Sequence, residues 1–446
     1  RAQQDARTAV RYLRMTRDAA GNPYGIGDKF AVGGDGTGGY MALALAALDK
    51  DEEVLLPKFI DTSDPENPVP YIVQSMLGNL EATNAGFHPF ATLEDGSPVP
   101  LCIPNHVGYS SEIDMAFNFG GAMLDTLWIE EGEVPIATFQ NISDEFAPYD
   151  VGVLTEPVNN DPVIEAMGGK VVIARATALG NNDCFAGLST TLNDVTYGNG
   201  NGAANAALAG HADMPGLFPL VTPTPAAAPT PCGFQEVDGA PWQWWDNLTY
   251  GTMANAFWQD STLTEAAYMC DALLSTPDMS EAKGLAFCDM LDEFFTPRIV
   301  AALDLTPKTP YVDEIFDDVT VVSDVVYGAN MGVLTGAPAL DTLKMDVYMP
   351  ADDANTDRKV IVLLHTGTFL PPIMNGQATG DKTDNNIVEL CKRFAKKGYV
   401  AVAPNYRLGW NPLSTDPDVR TSTLAQAFYR AQQDARTAVR YLRMTR

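Results

Sequence analysis

Short apolar runs alternate with helical stretches along most of the chain. Val319–Tyr327 and Leu343–Met349 alternate apolar and polar residues on either side of a Gly/Pro turn region, which predicts an antiparallel hairpin. Lys359–Leu364 and Tyr399–Ala403 are mostly continuous apolar runs, as strands buried on both faces should be. Because a helix is predicted between them at Asn386–Lys397, the pattern indicates a mostly parallel central sheet with helices on both faces.

The same alternation is found near the other end of the chain. Lys29–Val32 predicts a strand and Met41–Leu48 a helix, and a glycine-rich segment at 33–39 joins them. Two adjacent helices are predicted further along, at Thr262–Leu274 and Ser280–Leu291. The expected fold class is therefore α/β.

One segment occurs twice without a change. Residues 1–17 and 430–446 are both RAQQDARTAVRYLRMTR, at an offset of 429 residues. The segment predicts a helix whose apolar stripe is formed by Ala6, Ala9, Val10 and Leu13. Three explanations are open: a polyprotein of 429-residue repeats, a filament of identical subunits traced across their junctions, or an artefact. All three make residue 1 an arbitrary starting point, so we interpret the fold in permuted order from about residue 307.

Composition and charge exclude several classes of function. With 28 Lys and Arg against 57 Asp and Glu, the net charge is −29. Phosphate binding needs clustered Lys and Arg, so we expect neither a nucleic-acid partner nor an anionic lipid surface. We expect no membrane span, because no apolar run approaches the roughly 18 residues that a spanning helix needs. Since no CxxC or Cys/His ligand box is present, we expect neither a metal site nor a cofactor.

Two of the six cysteines fall on the two adjacent predicted helices. An antiparallel helical hairpin would bring Cys270 and Cys288 within disulfide reach, which would indicate an oxidising compartment. Buried free thiols are the equally weighted alternative.

Six segments, taken in permuted order, together resemble a secreted carboxylesterase or lipase of the α/β-hydrolase superfamily. They are KVIVLLHTGTF (359–369), GYVAVAPNYRLGW (398–410), RAQQDARTAVRYLR (430–443), FAVGGDGTGGYMALALA (30–46), VPIATFQNISDEFAPYDVG (134–152) and AGHADMPG (209–216). The resemblance covers most of the chain. It implies an α/β-hydrolase fold, with a mostly parallel central sheet, helices on both faces and a cap insertion at about 50–130, and it implies an extracellular protein.

This interpretation divides the chain into four parts. They are the first strands of the unit with the HG loop, the RLG strand and the Arg-rich helix (307–446), the elbow, cap, acid and histidine loops (1–220), a Pro-rich linker (221–231) and a C-terminal helical part (232–306).

The resemblance also implies a catalytic triad, in which a serine on a strand-to-helix elbow attacks an ester carbonyl. The elbow pattern G-x-S-x-G falls on Gly34–Gly38, so the nucleophile position is Gly36. Asp144 matches the acid, with Asp150 as its rival, and His211 matches the base. Thr37, Thr366 and Gly367 match the oxyanion site, and His365 is expected to hold that loop in place.

Glycine at the apex decides between two functions. Because Gly36 has no side chain, it cannot form an acyl-enzyme. Thr37 lies one residue past the apex, where a side chain is expected to point back toward helix and sheet, and Asp35 would attack only from an elbow shifted by one residue. The favoured hypothesis is a catalytically inactive building block of an extracellular filament or tandem-repeat array. Its partners would be copies of itself, head to tail, and an ester or lipid ligand could occupy the cleft. The alternative is a secreted carboxylesterase or lipase that hydrolyses esters.

Overall fold

A computed structural model describes the protein over most of its length. The described residues are 21–80, 84–144, 146–156, 160–193, 214–222, 238–259, 264–273, 276–305 and 310–445. The first copy of the repeat, most of the Pro-rich linker and His211 lie outside these residues.

The described residues form fourteen β-strands. They are β1 Ile26–Asp35, β2 Ile60–Asp61, β3 Val69–Pro70, β4 Gly86–Thr92, β5 Pro98–Cys102, β6 Met115–Phe119, β7 Ile136–Asn141, β8 Val151–Thr155, β9 Pro162–Met167, β10 Leu217–Leu220, β11 Val319–Gly332, β12 Ala339–Pro350, β13 Arg358–Leu364 and β14 Val400–Pro404.

The described residues also form eight α-helices. They are α1 Thr37–Ala47, α2 Gln74–Leu77, α3 Gly169–Ala178, α4 Asn247–Trp258, α5 Glu265–Ala272, α6 Glu281–Ala302, α7 Asn385–Lys396 and α8 Pro417–Thr445.

Both ends of the chain contribute to one eight-stranded sheet. Its strand order is β10-β7-β6-β1-β13-β14-β12-β11. β12 runs antiparallel to β11 and to β14, and the other neighbouring strands are parallel. The α/β class, the hairpin and the mostly parallel sheet that the sequence predicts are therefore confirmed, and the first and later strands belong to one globule.

The alternation of side chains along β13 explains why that strand is apolar throughout. Val360 and Val362 pack in the hydrophobic cluster that includes α1 and α8. Ile361 and Leu363 pack in the opposite cluster, which includes α6 and α7. Since successive strand residues point to opposite faces, a sheet covered on both sides needs apolar residues at every position.

α8 contains the C-terminal copy of the repeat and lies in the helix layer next to α1. The four residues equivalent to the predicted stripe are fully buried: Ala435, Ala438, Val439 and Leu442. The described arginines of this copy, Arg430, Arg436, Arg440 and Arg443, are buried as well, which the stripe does not predict. Arg436 shows why, because its guanidinium donates to the carbonyls of Ala44 and Leu48 at the end of α1. The Ala44 carbonyl already accepts the Leu48 amide, so the guanidinium adds a second donor there and also caps the end of α1 at the Leu48 carbonyl.

α6 is longer than predicted and belongs to the core. It begins at Glu281, one residue after the predicted start, and continues to Ala302; the Lys283 amide donates to Ser280 Oγ at its beginning. Phe294 and Phe295 on its inner face are buried in the same cluster as β6 and β7. The helical part at 232–306 therefore packs on the sheet through α6.

The expected disulfide between Cys270 and Cys288 is wrong. Cys270, on α5, is disulfide-bonded, whereas Cys288 is a free thiol. The reason is orientation: Cys288 faces the sheet from α6 and is fully buried among aromatic and aliphatic side chains. Burial also raises the pKa of the Cys288 thiol well above its usual range.

None of the described helices has both the length and the apolar character that crossing a membrane requires.

Candidate functional site

The predicted site residues meet where the central parallel strands end. β1 and β13 are neighbours in the sheet, and each is followed directly by one of the predicted loops, at Gly36 and at His365. β6 lies on the other side of β1. In open α/β sheets, the carboxyl ends of parallel strands form the crevice in which ligands bind.

The elbow between β1 and α1 has the sharp turn that its glycines predict. Gly36 has φ 49° and ψ −115°, and its amide donates to the Phe119 carbonyl at 3.0 Å. Two positions further on, a Cβ at Gly38 would lie only 2.1 Å from the Leu364 carbonyl oxygen. Glycine at 36 suits the left-handed backbone, and glycine at 38 allows α1 to begin against β13.

A buried histidine, His365, holds the loop after β13 in place. The imidazole of His365 stacks on Tyr406 with ring centroids 4.1 Å apart, and its Nδ1–H donates to the Thr366 carbonyl at 2.6 Å. Tyr406 donates to the His365 carbonyl at 2.8 Å. Burial lowers the pKa of His365 to about 4, so the ring is neutral at pH 7 and positions the loop.

Asp144 lies beside the elbow, shortly after β7. Its Oδ1 accepts from the amides of Phe146 and Ala147, at 2.8 and 3.1 Å. Tyr40, on the first turns of α1, donates to the Phe146 carbonyl at 3.2 Å. Burial and the charge of Asp144 raise the pKa of this phenol well above its usual range.

Asp35, directly before the apex, is fully buried and anchors two other segments through three hydrogen bonds. Its carboxylate accepts from Trp242 Nε1 at 2.8 Å, Gln243 Nε2 at 2.7 Å and Asn386 Nδ2 at 2.9 Å. Burial is the largest effect and raises the pKa of Asp35 to about 6. Because both of its oxygens are engaged below the elbow, this geometry favours a structural role over that of an attacking group.

One large cavity covers the elbow. Its volume is about 1510 Å³, and its floor includes Gly36, Thr37, Asp144, Thr366 and Gly367. Its rim carries large apolar side chains that are also exposed to solvent: Phe146, Trp258, Leu334, Met374 and Leu413. Tyr250 and Tyr268 line it from α4 and α5. The cavity thus combines a small polar floor with apolar walls, an arrangement typical of sites for small organic ligands.

The structure brings together all the described residues predicted for the site. The acid, the apex and the oxyanion residues line the same cavity, whereas the predicted base, His211, lies outside the described residues. The rival acid, Asp150, instead forms an ion pair with Lys170.

Sequence reasoning missed Tyr406, Gln243 and Tyr40. Tyr406 carries a signal that could have found it, because it follows the buried strand β14 at the same edge of the sheet as the elbow. Gln243 carries none, since its contact with Asp35 joins residues 208 positions apart.

We also searched the described residues for metal-binding groups and compared the chain with known proteins. Within the part of the chain that the structure describes, no group of three or more His, Cys, Asp or Glu side chains could hold a metal ion. The chain matches no family model, and no curated protein or solved structure matches it.

Proposed function

We propose that this protein is an α/β-hydrolase-like unit that binds an apolar ester or lipid in its cavity and does not hydrolyse it. The observation that carries the proposal is Gly36, which occupies the apex of a sharp strand-to-helix elbow at the floor of the cavity. In α/β-hydrolases this apex presents the nucleophile at the top of the sheet.

The surroundings of the apex support the α/β-hydrolase part of the proposal. In chain order from β11, β13 is the third strand, and the loop after the third strand is where α/β-hydrolases carry part of their oxyanion site. Here that loop contains Thr366 and Gly367. The other part is the amide of the residue after the nucleophile, which corresponds to Thr37. Thr37 is the first residue of α1, so its amide has no acceptor within the helix.

The absence of a side chain at the apex argues against turnover. Attack on an ester requires an oxygen or sulfur at that point, and Gly36 provides neither. Loss of the serine alone costs a serine hydrolase about six orders of magnitude in rate. The remaining groups can hold a carbonyl but cannot form the covalent intermediate.

The walls of the cavity favour an apolar ligand. The rim residues come from five separate segments, and none of them is charged. The net charge of −29 disfavours an anionic ligand by long-range repulsion. An uncharged ester or lipid, with its carbonyl end at the polar floor, fits both features.

The test is active-site labelling of the purified protein. We expect no labelling by a fluorophosphonate probe, and cleavage of short-chain nitrophenyl esters no faster than in buffer, together with saturable binding of the neutral dye Nile red. Labelling of the unmutated protein would contradict the proposal and favour the secreted carboxylesterase or lipase.

We further propose that the unit is repeated in an extracellular head-to-tail array, because of the repeated 17 residues. The C-terminal copy completes the helix layer next to α1, and Tyr441 on it lies within 3.2 Å of the Tyr24 hydroxyl. The end of this helix therefore lies close to the segment that leads into β1. The disulfide-bonded Cys270 favours an oxidising compartment.

Denaturing gel electrophoresis of the native material tests the array. A ladder or a very high mass is expected for covalent repeats, and a band at one unit with a large native mass for a filament. Monomers alone under native conditions would contradict both arrangements.

A further inference from the structure

The space above Gly36 is filled from another segment. A Cβ built on Gly36 would lie 2.3 Å from Thr366 Oγ1 and 3.2 Å from Thr366 Cβ. The three atoms nearest to that Cβ all belong to Thr366. The threonine side chain therefore lies where any side chain at the elbow would project.

Thr366 cannot easily leave this position. Its carbonyl accepts from His365 Nδ1 at 2.6 Å and from the Tyr406 hydroxyl at 3.2 Å, so two buried side chains hold its backbone in place. Threonine carries two heavy atoms on Cβ, which fill two of the three staggered positions. Only one rotamer would place hydrogen alone toward Gly36, and the distance between the two Cβ atoms would still be short.

We propose that Thr366 has replaced the elbow side chain: from the loop after β13 it fills the space that Gly36 leaves open, and it supplies the hydroxyl that contacts the carbonyl end of a bound ligand. A serine at the elbow and a threonine at 366 exclude one another in this arrangement. The identification of Gly36 as the nucleophile position rests on the proposed function, whereas the steric relation rests on the two residues alone.

The first test is a double-mutant cycle on stability. Gly36→Ala should lower the folding equilibrium constant at least about tenfold more with Thr366 in place than in the Thr366→Gly background, because overpacking is relieved only in the latter. Thr368→Gly, two residues further along the same loop, is the matched control and should show no coupling to Gly36→Ala.

The cycle has results that support the inference and results that overturn it. Coupling with Thr366→Gly alone supports the inference, as does a Gly36→Ala protein that folds only in that background. Equal costs in both backgrounds, or failure to fold in both, would overturn it. Neither result depends on fluorophosphonate labelling, so this inference and the proposed function can fail separately.

The second test addresses the hydroxyl. Thr366→Val keeps the shape of the side chain and removes its hydrogen-bonding group. We expect it to weaken displacement of Nile red by 2-decanone about fivefold and to leave displacement by decane unchanged, since only the ketone accepts a hydrogen bond. Thr366→Ser should retain the preference for the ketone. If Thr366→Val still preferred 2-decanone over decane, the proposed contact between the Thr366 hydroxyl and the ligand carbonyl would be refuted.

Discussion

The floor and the rim of the cavity are built in opposite ways. At the floor, backbone segments approach so closely that Gly38 has no room for a methyl group, and Asp35 below it accepts three side-chain hydrogen bonds. At the rim, Trp258 and Leu413 are 46% and 65% exposed. The floor is therefore fixed by sterics and hydrogen bonds, whereas the rim adds apolar surface with few constraints.

This difference shows where the protein can change. A floor defined by backbone contacts keeps its shape without a side chain at Gly36, because the glycines and the buried carboxylate hold the elbow. The exposed rim residues can vary at little cost in stability. Four substitution experiments test the contrast, from the largest expected effect to the smallest.

Gly38→Ala should be the most damaging change. Its Cβ would lie 2.1 Å from the Leu364 carbonyl oxygen, a backbone atom that cannot move without disturbing β13. We expect a loss of about 3–5 kcal/mol in the free energy of unfolding, measured by urea denaturation. Gly239→Ala in the same cavity is the control, because its nearest neighbour would be 3.4 Å away. Equal losses in the two variants would show that close approach does not define the floor.

Asp35→Asn should cost about 1–3 kcal/mol, because one acceptor oxygen is replaced by an NH₂ group that faces other donors. The exposed Asp352→Asn is the matched control and should be nearly neutral. Urea denaturation at pH 7 provides the measurement. A neutral Asp35→Asn variant would mean that the hydrogen bonds at Asp35 do not hold the floor together.

The pH dependence of the free energy of unfolding should reveal the raised pKa of Asp35. Its pKa is about 6 in the folded protein and near the ordinary 3.9 when unfolded, so the folded state binds the extra proton. The resulting stabilisation is complete below about pH 4 and is lost as the pH rises through about 6. Between pH 7.5 and pH 5, the wild type should gain about 1 kcal/mol relative to Asp35→Asn. Parallel pH profiles for the two proteins would argue against a raised pKa.

Rim substitutions should have the smallest effect on stability. Leu413→Ser and Trp258→Ser should change the free energy of unfolding by less than about 0.5 kcal/mol, yet weaken Nile red binding about threefold. Leu248→Ser is the control, because Leu248 is equally exposed on α4 but does not line the cavity. Unchanged dye binding in the two rim variants would place the ligand elsewhere.

Much of the site could be predicted because its residues follow strand ends. The glycines of the elbow, Asp144 after β7 and Thr366 after β13 each lie within a few residues of the end of an apolar run that the sequence shows. Their convergence follows from the parallel arrangement, which places the carboxyl ends of neighbouring strands at one edge. By contrast, the pairing of Cys270 with Cys288 failed, because spacing along two helices does not fix which way each thiol points.

The sequence alone determined the class of the fold, the hairpin, the buried strands and the apolar stripe of the repeated helix, since these depend on local periodicity and on glycine spacing. The tertiary structure alone decided that strands from both ends of the chain share one sheet and that Gln243 and Asn386 meet at Asp35. It alone showed that Thr366 fills the space above Gly36. These contacts join residues hundreds of positions apart, and only the packing of the whole sheet brings them within hydrogen-bonding or van der Waals distance.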